Sequence, residues 1–309
     1  MGQAMPVSYV RVIGVERITP RTARVTFTGE ALPRILEDRP DQQLKLCLPR
    51  EGRSVEEGLL PEQGAEDTYG MRWYEAFLAI PEARRPWMRS FTVRAYDRGS
   101  NEMTVDFVLH GDGGPASRWG AAARPGDVLG LVGPSSLYAR PLPEAERLLL
   151  AGDETALPAI ATVLEALPVT TRALVYAEVA DVGEELELPA AAGGAEVRWV
   201  HRDRGGSLVA AVRDAGPDLD GVDAAWVAGE ASAVRALRRH LVGERGLPKG
   251  AVEFSGYWRR ALTQDDAPTE EDLAWAAERA ADASSRGLRR LPRPGPPFPP
   301  TPRSACRPR

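Results

Sequence analysis

RLLLAGDETALPAIATVLEAL, residues 147–167, changes its hydrophobic period part-way along. Arg147 to Ala151 is a short apolar run of the kind that forms a strand buried on both faces. From Thr155 onward Leu157, Ile160, Val163, Leu164 and Leu167 recur at helical spacing, with Thr155 suited to an N-cap and Pro158 tolerated in a first turn. A strand running straight into a helix, with Gly152, Asp153 and Glu154 at the corner, opens a parallel sheet with helical crossovers. Downstream the same rhythm predicts strands at 173–179, 196–201, 224–228 and 251–255, and helices at 207–214 and 232–243. In folds of this kind ligands bind beyond the carboxyl ends of the strands.

Upstream the rhythm is different. Val, Ile, Thr and aromatic residues predict short strands near 8–15, 22–28, 43–48, 88–94, 102–109 and 127–132, with turn signals at Asp97–Asn101 and Pro125–Asp127. Six such strands suggest a six-stranded antiparallel Greek-key β-barrel. Residues 51–86, rich in Glu, Gly and Pro, read as a long surface loop carrying a short helix. The division expected is therefore a β-barrel domain over 1–145 and a parallel-sheet α/β domain over 146–262. An acidic amphipathic C-terminal helix follows within 263–284, then a disordered Pro/Arg-rich tail over 285–309.

The chain has 309 residues, 43% hydrophobic and 27% charged, which excludes wholesale disorder, collagen-like structure and coiled coil. Its formal charge of −5 is unevenly spread: residues 285–309 hold seven arginines and no acid, which leaves −12 over residues 1–284. So acidic a body argues against nucleic-acid binding through its general field. Cys47 and Cys306 are isolated, and His110, His201 and His240 lie far apart, so no protein metal site is legible. Two cysteines suit a reducing compartment. No stretch approaches the roughly 20 apolar residues of a membrane span, and the N-terminus lacks the layout of a signal peptide. A cytoplasmic monomer without membrane insertion is the expectation.

Four motifs carry chemistry. Arg89-Ser90-Phe91-Thr92-Val93-Arg94 ends an apolar strand, and its alternation puts Arg89 and Phe91 on one face and Thr92 and Arg94 on the other. A cation beside an aromatic plate suits a ligand with a phosphate and a flat ring. In Asp106 to Trp119 a strand runs through His110 into glycines, and Pro115 stands where a helix begins; the free N–H groups of that start make an anion cradle. The corner Gly152 to Pro158 sits where the phosphates of a dinucleotide lie in related folds. Asp153 and Glu154 would repel a pyrophosphate there, and serve either the nicotinamide or ribose end or the helix dipole. Lastly, Gly229-Glu230 and Gly256-Tyr257-Trp258-Arg259 fall at the carboxyl ends of predicted parallel strands, where the aromatics suit either the core or one face of a bound ring.

In this order the motifs resemble those of the siderophore-interacting protein family, flavoproteins of the ferredoxin-reductase type that include ferric-siderophore reductases; the likeness covers roughly residues 8–262. The resemblance implies an FAD-binding barrel followed by an NAD(P)H-binding domain, with electrons passing from NADH or NADPH through FAD to a ferric siderophore and Fe(II) released in the cytoplasm. It implies that Arg89 holds the FAD phosphates, Thr92 meets the flavin near its reactive nitrogen, and Phe91, where the family has Tyr, keeps stacking but loses a hydrogen bond. Asp106 and His110 would line the FAD site, and Gly114, Ala116 and Ser117 would cradle the pyrophosphate. Asp153, Glu154, Thr155, Ala156 and Glu230 would lie at the nicotinamide side and Tyr257 and Trp258 against a ring, with Thr92, Glu154 and Glu230 closest to the chemistry. The cofactors carry that chemistry and the protein positions them.

For an anionic ferric siderophore, Lys45, Arg118 and Arg259 are candidate cations, because each sits beside a flavin-site motif. Glu178, at the end of the second α/β strand, suits a ribose hydroxyl, whereas Arg202, after the third, suits a 2′-phosphate; both coenzymes remain open at this point. A general flavin or ferredoxin-type reductase shares every motif, and a siderophore-binding protein without turnover is the alternative of a different class. A third reading makes Pro294–Pro300 a docking segment.

Overall fold

The computed structural model describes residues 6–37, 39–64, 67, 71–110, 114–134 and 142–260; the expected C-terminal helix and tail lie outside them. The first sheet contains β1 (Val7–Thr19), β2 (Thr22–Thr28), β3 (Gln43–Leu48), β4 (Trp87–Thr92), β5 (Ala95–Asp97), β6 (Glu102–Val108) and β7 (Val128–Val132). Its order is β4-β3-β7-β1-β2-β6-β5, and every pairing is antiparallel. The sheet curls into a half-barrel. Alternation does the folding: Ala23, Val25 and Phe27 of β2 and Met103, Val105 and Phe107 of β6 fill the interior, while Arg24 and Asp106 face outward.

Among the described residues this half has seven strands where six were expected. The chain leaves the β3–β4 ladder after Thr92, with the Val93 N–H donating to Gln42 and the Arg94 N–H to Thr104. It re-enters as β5 through a hairpin in which Asp97 Oδ1 accepts from Gly99 N at 2.7 Å and Asn101 takes φ +58°. The expected strand over 88–94 is therefore cut short by a turn made of its own residues. Within 51–86, the helix α2 (Met71–Ala79) places Trp73 and Phe77 with Leu60 over Cys47 and Val132, so the segment packs as a second small core. Asp67 secures it by accepting from Trp73 N at 2.7 Å. The short helix α1 (Leu32–Ile35) and α3 (Pro115–Ala122) complete this half.

The second sheet consists of β8 (Arg147–Asp153), β9 (Arg172–Val179), β10 (Ala195–His201), β11 (Ala224–Glu230) and β12 (Val252–Trp258), all parallel, in the order β10-β9-β8-β11-β12. Side chains of β8 alternate between two cores. Leu148 and Leu150 pack under α4 (Leu157–Ala166), and Leu149 and Ala151 under α5 (Leu208–Asp214) and α6 (Ala231–Arg239). The helix expected over 232–243 passes into a π turn at His240–Glu244. Among the described residues no helix is long and apolar enough to cross a membrane.

Polar contacts join the two halves. Thr19 Oγ1 donates to Glu184 at 2.5 Å, the Asp41 N–H to Thr162 Oγ1 at 3.0 Å, and Arg94 to both oxygens of Glu165 at 2.9 and 3.3 Å. These contacts tie β1, the turn before β3 and the residues after β4 to α4 and to the chain after β9.

Candidate functional site at the junction of the two sheets

On the barrel side, Arg89 and Phe91 stand opposite Leu46 and Leu44 of β3. Phe91 lies 4.5 Å from Phe107, which lies 5.1 Å from Trp119 of α3, so the plate at the strand end is backed by core aromatics. Arg89 donates to the Met88 carbonyl at 2.9 Å, and its guanidinium lies 5.4 Å from the Trp87 ring, which Arg50 also covers at 3.7 Å. Thr92 points the other way and is buried. Lys45 shares Thr92's face; its Nζ donates to Ser90 Oγ at 3.0 Å, and burial lowers its pKa.

Gly114 and Pro115 open α3, whose first-turn N–H groups have no partner within the helix. The His110 N–H donates to Ser117 Oγ at 2.8 Å, which ties the end of β6 to that helix start. Gly120 lets the helix lie against the sheet, since a Cβ there would sit 2.9 Å from Phe107. Ala116 packs on the barrel core, and Arg118 is exposed. A methyl added at Gly114 would meet nothing within 4 Å, so the cradle is open at that point. Residues 111–113 of the motif lie outside the described residues.

Asp106 faces the side of β6 opposite to Phe107 and receives Arg24 Nε and Nη2 at 2.7 and 2.8 Å, a cross-strand bidentate pair.

On the α/β side, Asp153 ties three strand ends together. Its buried carboxylate accepts from Thr155 N (2.9 Å), Thr155 Oγ1 (2.5 Å), Glu230 N (2.8 Å) and Trp258 Nε1 (2.8 Å). Burial pushes its pKa up to about 6 against the pull of these donors. Gly229, at φ +133°, has no room for a side chain, because a Cβ would lie 2.5 Å from Asp153 Oδ2. Glu230 caps α6, accepting from Ala233 N at 3.0 Å and Ser232 N at 2.8 Å, and its pKa falls. Glu154 is gripped by Arg202 at 2.5 and 2.6 Å; Arg202 also reaches Glu178 at 3.2 Å, and Glu178 accepts from Leu208 N at the start of α5 at 2.6 Å.

The Ala156 side chain is fully buried in the α/β core beneath Gly152, where the chain turns inward as α4 begins. Trp258 lies 6.4 Å from the His110 ring, which brings the last strand to the barrel's glycine motif. The Tyr257 hydroxyl donates to Asp41 Oδ1 at 3.0 Å and accepts from Gln43 Nε2 at 3.2 Å. Asp41 and Gln43 carried no signal in the sequence beyond a polar turn, since their partner is more than 200 residues away. Arg259, half-buried, follows at the end of β12.

The site thus combines a core-backed aromatic ring, a cation, a buried hydroxyl and an open helix start with the carboxyl edge of a parallel sheet. A family model described as the siderophore-interacting FAD-binding domain matches residues 11–138, and one described as siderophore-interacting protein matches residues 145–261. The crystal structure of a siderophore utilization protein from T. fusca is 35% identical, with 86% of this chain and 97% of that one covered and a TM-score of 0.71. The chain belongs to the siderophore-interacting protein family. SipS of Aeromonas hydrophila, another siderophore-interacting protein, is 27% identical over 89% of this chain and 98% of its own, with a TM-score of 0.65. The ferric vibriobactin reductase ViuB of Vibrio cholerae is 30% identical over 269 residues, 81% of this chain and 93% of its own length. Against the FAD of the family's first domain the residues fit: Arg89 and the α3 start are phosphate-type groups, Phe91 is a plate for a flat ring, and Thr92 supplies a hydroxyl.

Proposed function

We propose that this siderophore-interacting protein is an NAD(P)H-dependent ferric-siderophore reductase that binds FAD through residues 1–145 and the nicotinamide nucleotide through residues 146–262. The observation that carries this reading is the meeting of the two halves: the Tyr257 hydroxyl donates to Asp41 at 3.0 Å and accepts from Gln43 at 3.2 Å, and His110 stands 6.4 Å from Trp258. Arg89 and the start of α3, with Gly114, Ala116 and Ser117, hold the phosphates; Phe91 backs the ring system. Asp153 fixes Trp258 and the 154–155 and 229–230 corners, so the carboxyl edge of β8 and β11, where the strand order reverses, presents a rigid crevice to the second nucleotide.

When bound, FAD supplies the conversion of a hydride into single electrons. The iron belongs to the substrate, and hard Fe(III) prefers siderophore oxygens far more than Fe(II) does, so its reduction frees the metal in the cytoplasm. An acidic body needs local cations to hold an anionic chelate. Arg118 is the exposed one beside the flavin motif, Arg259 lies at the end of β12, and Lys45 is drawn toward Ser90. The test is direct. Purified protein should bind FAD, show the yellow flavin absorption, bleach anaerobically with a nicotinamide nucleotide and recover on addition of ferric siderophores, with Fe(II) trapped by a ferrous chelator. Protein that takes up no FAD refutes the reading; bleaching without faster recovery on ferric siderophores than on other acceptors leaves a general flavin reductase.

A further inference from the structure

We infer that the α/β half discriminates against a 2′-phosphate and takes NADH in preference to NADPH, because Arg202 is already committed to Glu154 and Glu178. This rests on the nicotinamide reading above and specifies it further. In a doubly wound sheet the adenosine ribose lies at the carboxyl end of the second strand, where an acidic residue bonds the ribose hydroxyls or a nearby arginine meets a 2′-phosphate. Here the second strand is β9, its end carries Glu178, and the adjacent arginine is Arg202.

The guanidinium faces Glu154 with two nitrogens, at 2.5 and 2.6 Å, and one of these also reaches Glu178 at 3.2 Å. Glu154 and Glu178 are both largely buried, with side chains 10% and 16% exposed. To bind a phosphate Arg202 would have to leave two carboxylates behind in a partly desolvated place, where an unpaired charge is costly. Glu178 is fixed from its other side by Leu208 N at 2.6 Å, so it cannot follow the arginine. Its oxygens each hold one donor and keep lone pairs for ribose hydroxyls.

The surrounding charge points the same way. The starts of α5 and α6, which elsewhere attract phosphates, already hold Glu178 and Glu230, and the corner before α4 holds the buried Asp153 carboxylate. Five carboxylates, Asp153, Glu154, Glu178, Asp203 and Glu230, stand at this edge beside Arg202, Arg204, Arg259 and Arg260. Arg204, two residues along the same turn, is exposed, and a solvated cation there offers only a weak screened contact.

The experiment is titration calorimetry of NAD⁺ and NADP⁺ into the oxidised FAD-loaded protein, repeated with 5′-AMP and 2′,5′-ADP. NAD⁺ is expected to bind at least tenfold tighter than NADP⁺, and 5′-AMP tighter than 2′,5′-ADP. Arg202→Ala should bring no loss of NADP⁺ affinity relative to NAD⁺, while Glu154→Gln should narrow the gap severalfold by releasing the guanidinium. NADP⁺ binding as tightly as NAD⁺, or an NADP⁺-specific loss in Arg202→Ala or Arg204→Ala, overturns the inference and leaves the nicotinamide reading standing. If neither nucleotide binds, that reading falls and takes the inference with it.

Discussion

Replacing Asp153 with Asn tests the junction at its most connected atom pair. The carboxylate accepts four hydrogen bonds from residues at the ends of β8, β11 and β12. An amide keeps one acceptor oxygen, which can serve Thr155, but turns an NH₂ toward the Glu230 N–H and the Trp258 indole N–H. Two buried donors then lose their acceptor at about 1–3 kcal/mol each, so the expected loss of stability at pH 8 is on the order of 2–6 kcal/mol. A pH dependence follows. Asp153 has a folded pKa of about 6, raised by burial, against about 3.9 in an unfolded chain. The folded state therefore binds the proton first, and the group's contribution to stability is complete below the unfolded pKa and is lost as pH rises through the folded one. Between pH 8 and pH 5 the wild type should gain roughly 1 kcal/mol that the Asn variant lacks. Urea unfolding followed by tryptophan fluorescence at pH 5, 6, 7 and 8 measures both effects. Midpoints for Asp153→Asn within about 0.5 kcal/mol of wild type at pH 8, or curves that run parallel over the whole range, would refute the reasoning.

Other perturbations reach different parts of the argument. Arg24→Met should cost on the order of 2 kcal/mol in urea unfolding by leaving the buried Asp106 carboxylate unpaired, a figure discounted because the arginine is 30% exposed. Adding Asp106→Leu should recover much of that loss, and FAD content measured on the same variant shows whether the Asp106 carboxylate also lines the flavin site. Tyr257→Phe removes the hydroxyl that Asp41 accepts and Gln43 donates to, and should lower stability by roughly 1–2 kcal/mol; an unchanged midpoint would show the contact to be dispensable. Burial pushes the Cys47 thiol up to about 12, so in a Cys306→Ser background a thiol reagent at pH 8 should react only after unfolding. Rapid labelling of the native protein would show that the 51–86 segment does not seal that core.

The architecture was legible because it rests on local periodicity. The change of period within 147–167 marked the parallel sheet, and β8 and α4 formed there with their ends shifted by a residue or two. The alternation of β2 and β6 marked the half-barrel. Single strands were less secure where a turn competed with the ladder, as at Val93–Arg94, and the packing of 51–86 depended on Trp73 and Phe77 finding a surface distant in the chain. The site divides in the same way. Motif position brought Asp153, Thr155, Glu230 and Trp258 to one place, but the cross-strand partner of Asp106 and the burial of the Ala156 side chain came from strand parity and helix entry.

By itself the sequence determined the order of the two halves, the elements that end at their junction, and the residue types available there. Those follow from side-chain period and turn chemistry, which act over a few residues. Only the tertiary structure decided the partners. Asp41 meets Tyr257, Arg24 meets Asp106, and Arg202 is held by Glu154 and Glu178, so an arginine that the sequence left open to a 2′-phosphate already has its charge met. Hydrogen bonds and ion pairs are short-ranged and directional, and which groups come within 3 Å is fixed by how sheets and helices pack rather than by their distance along the chain.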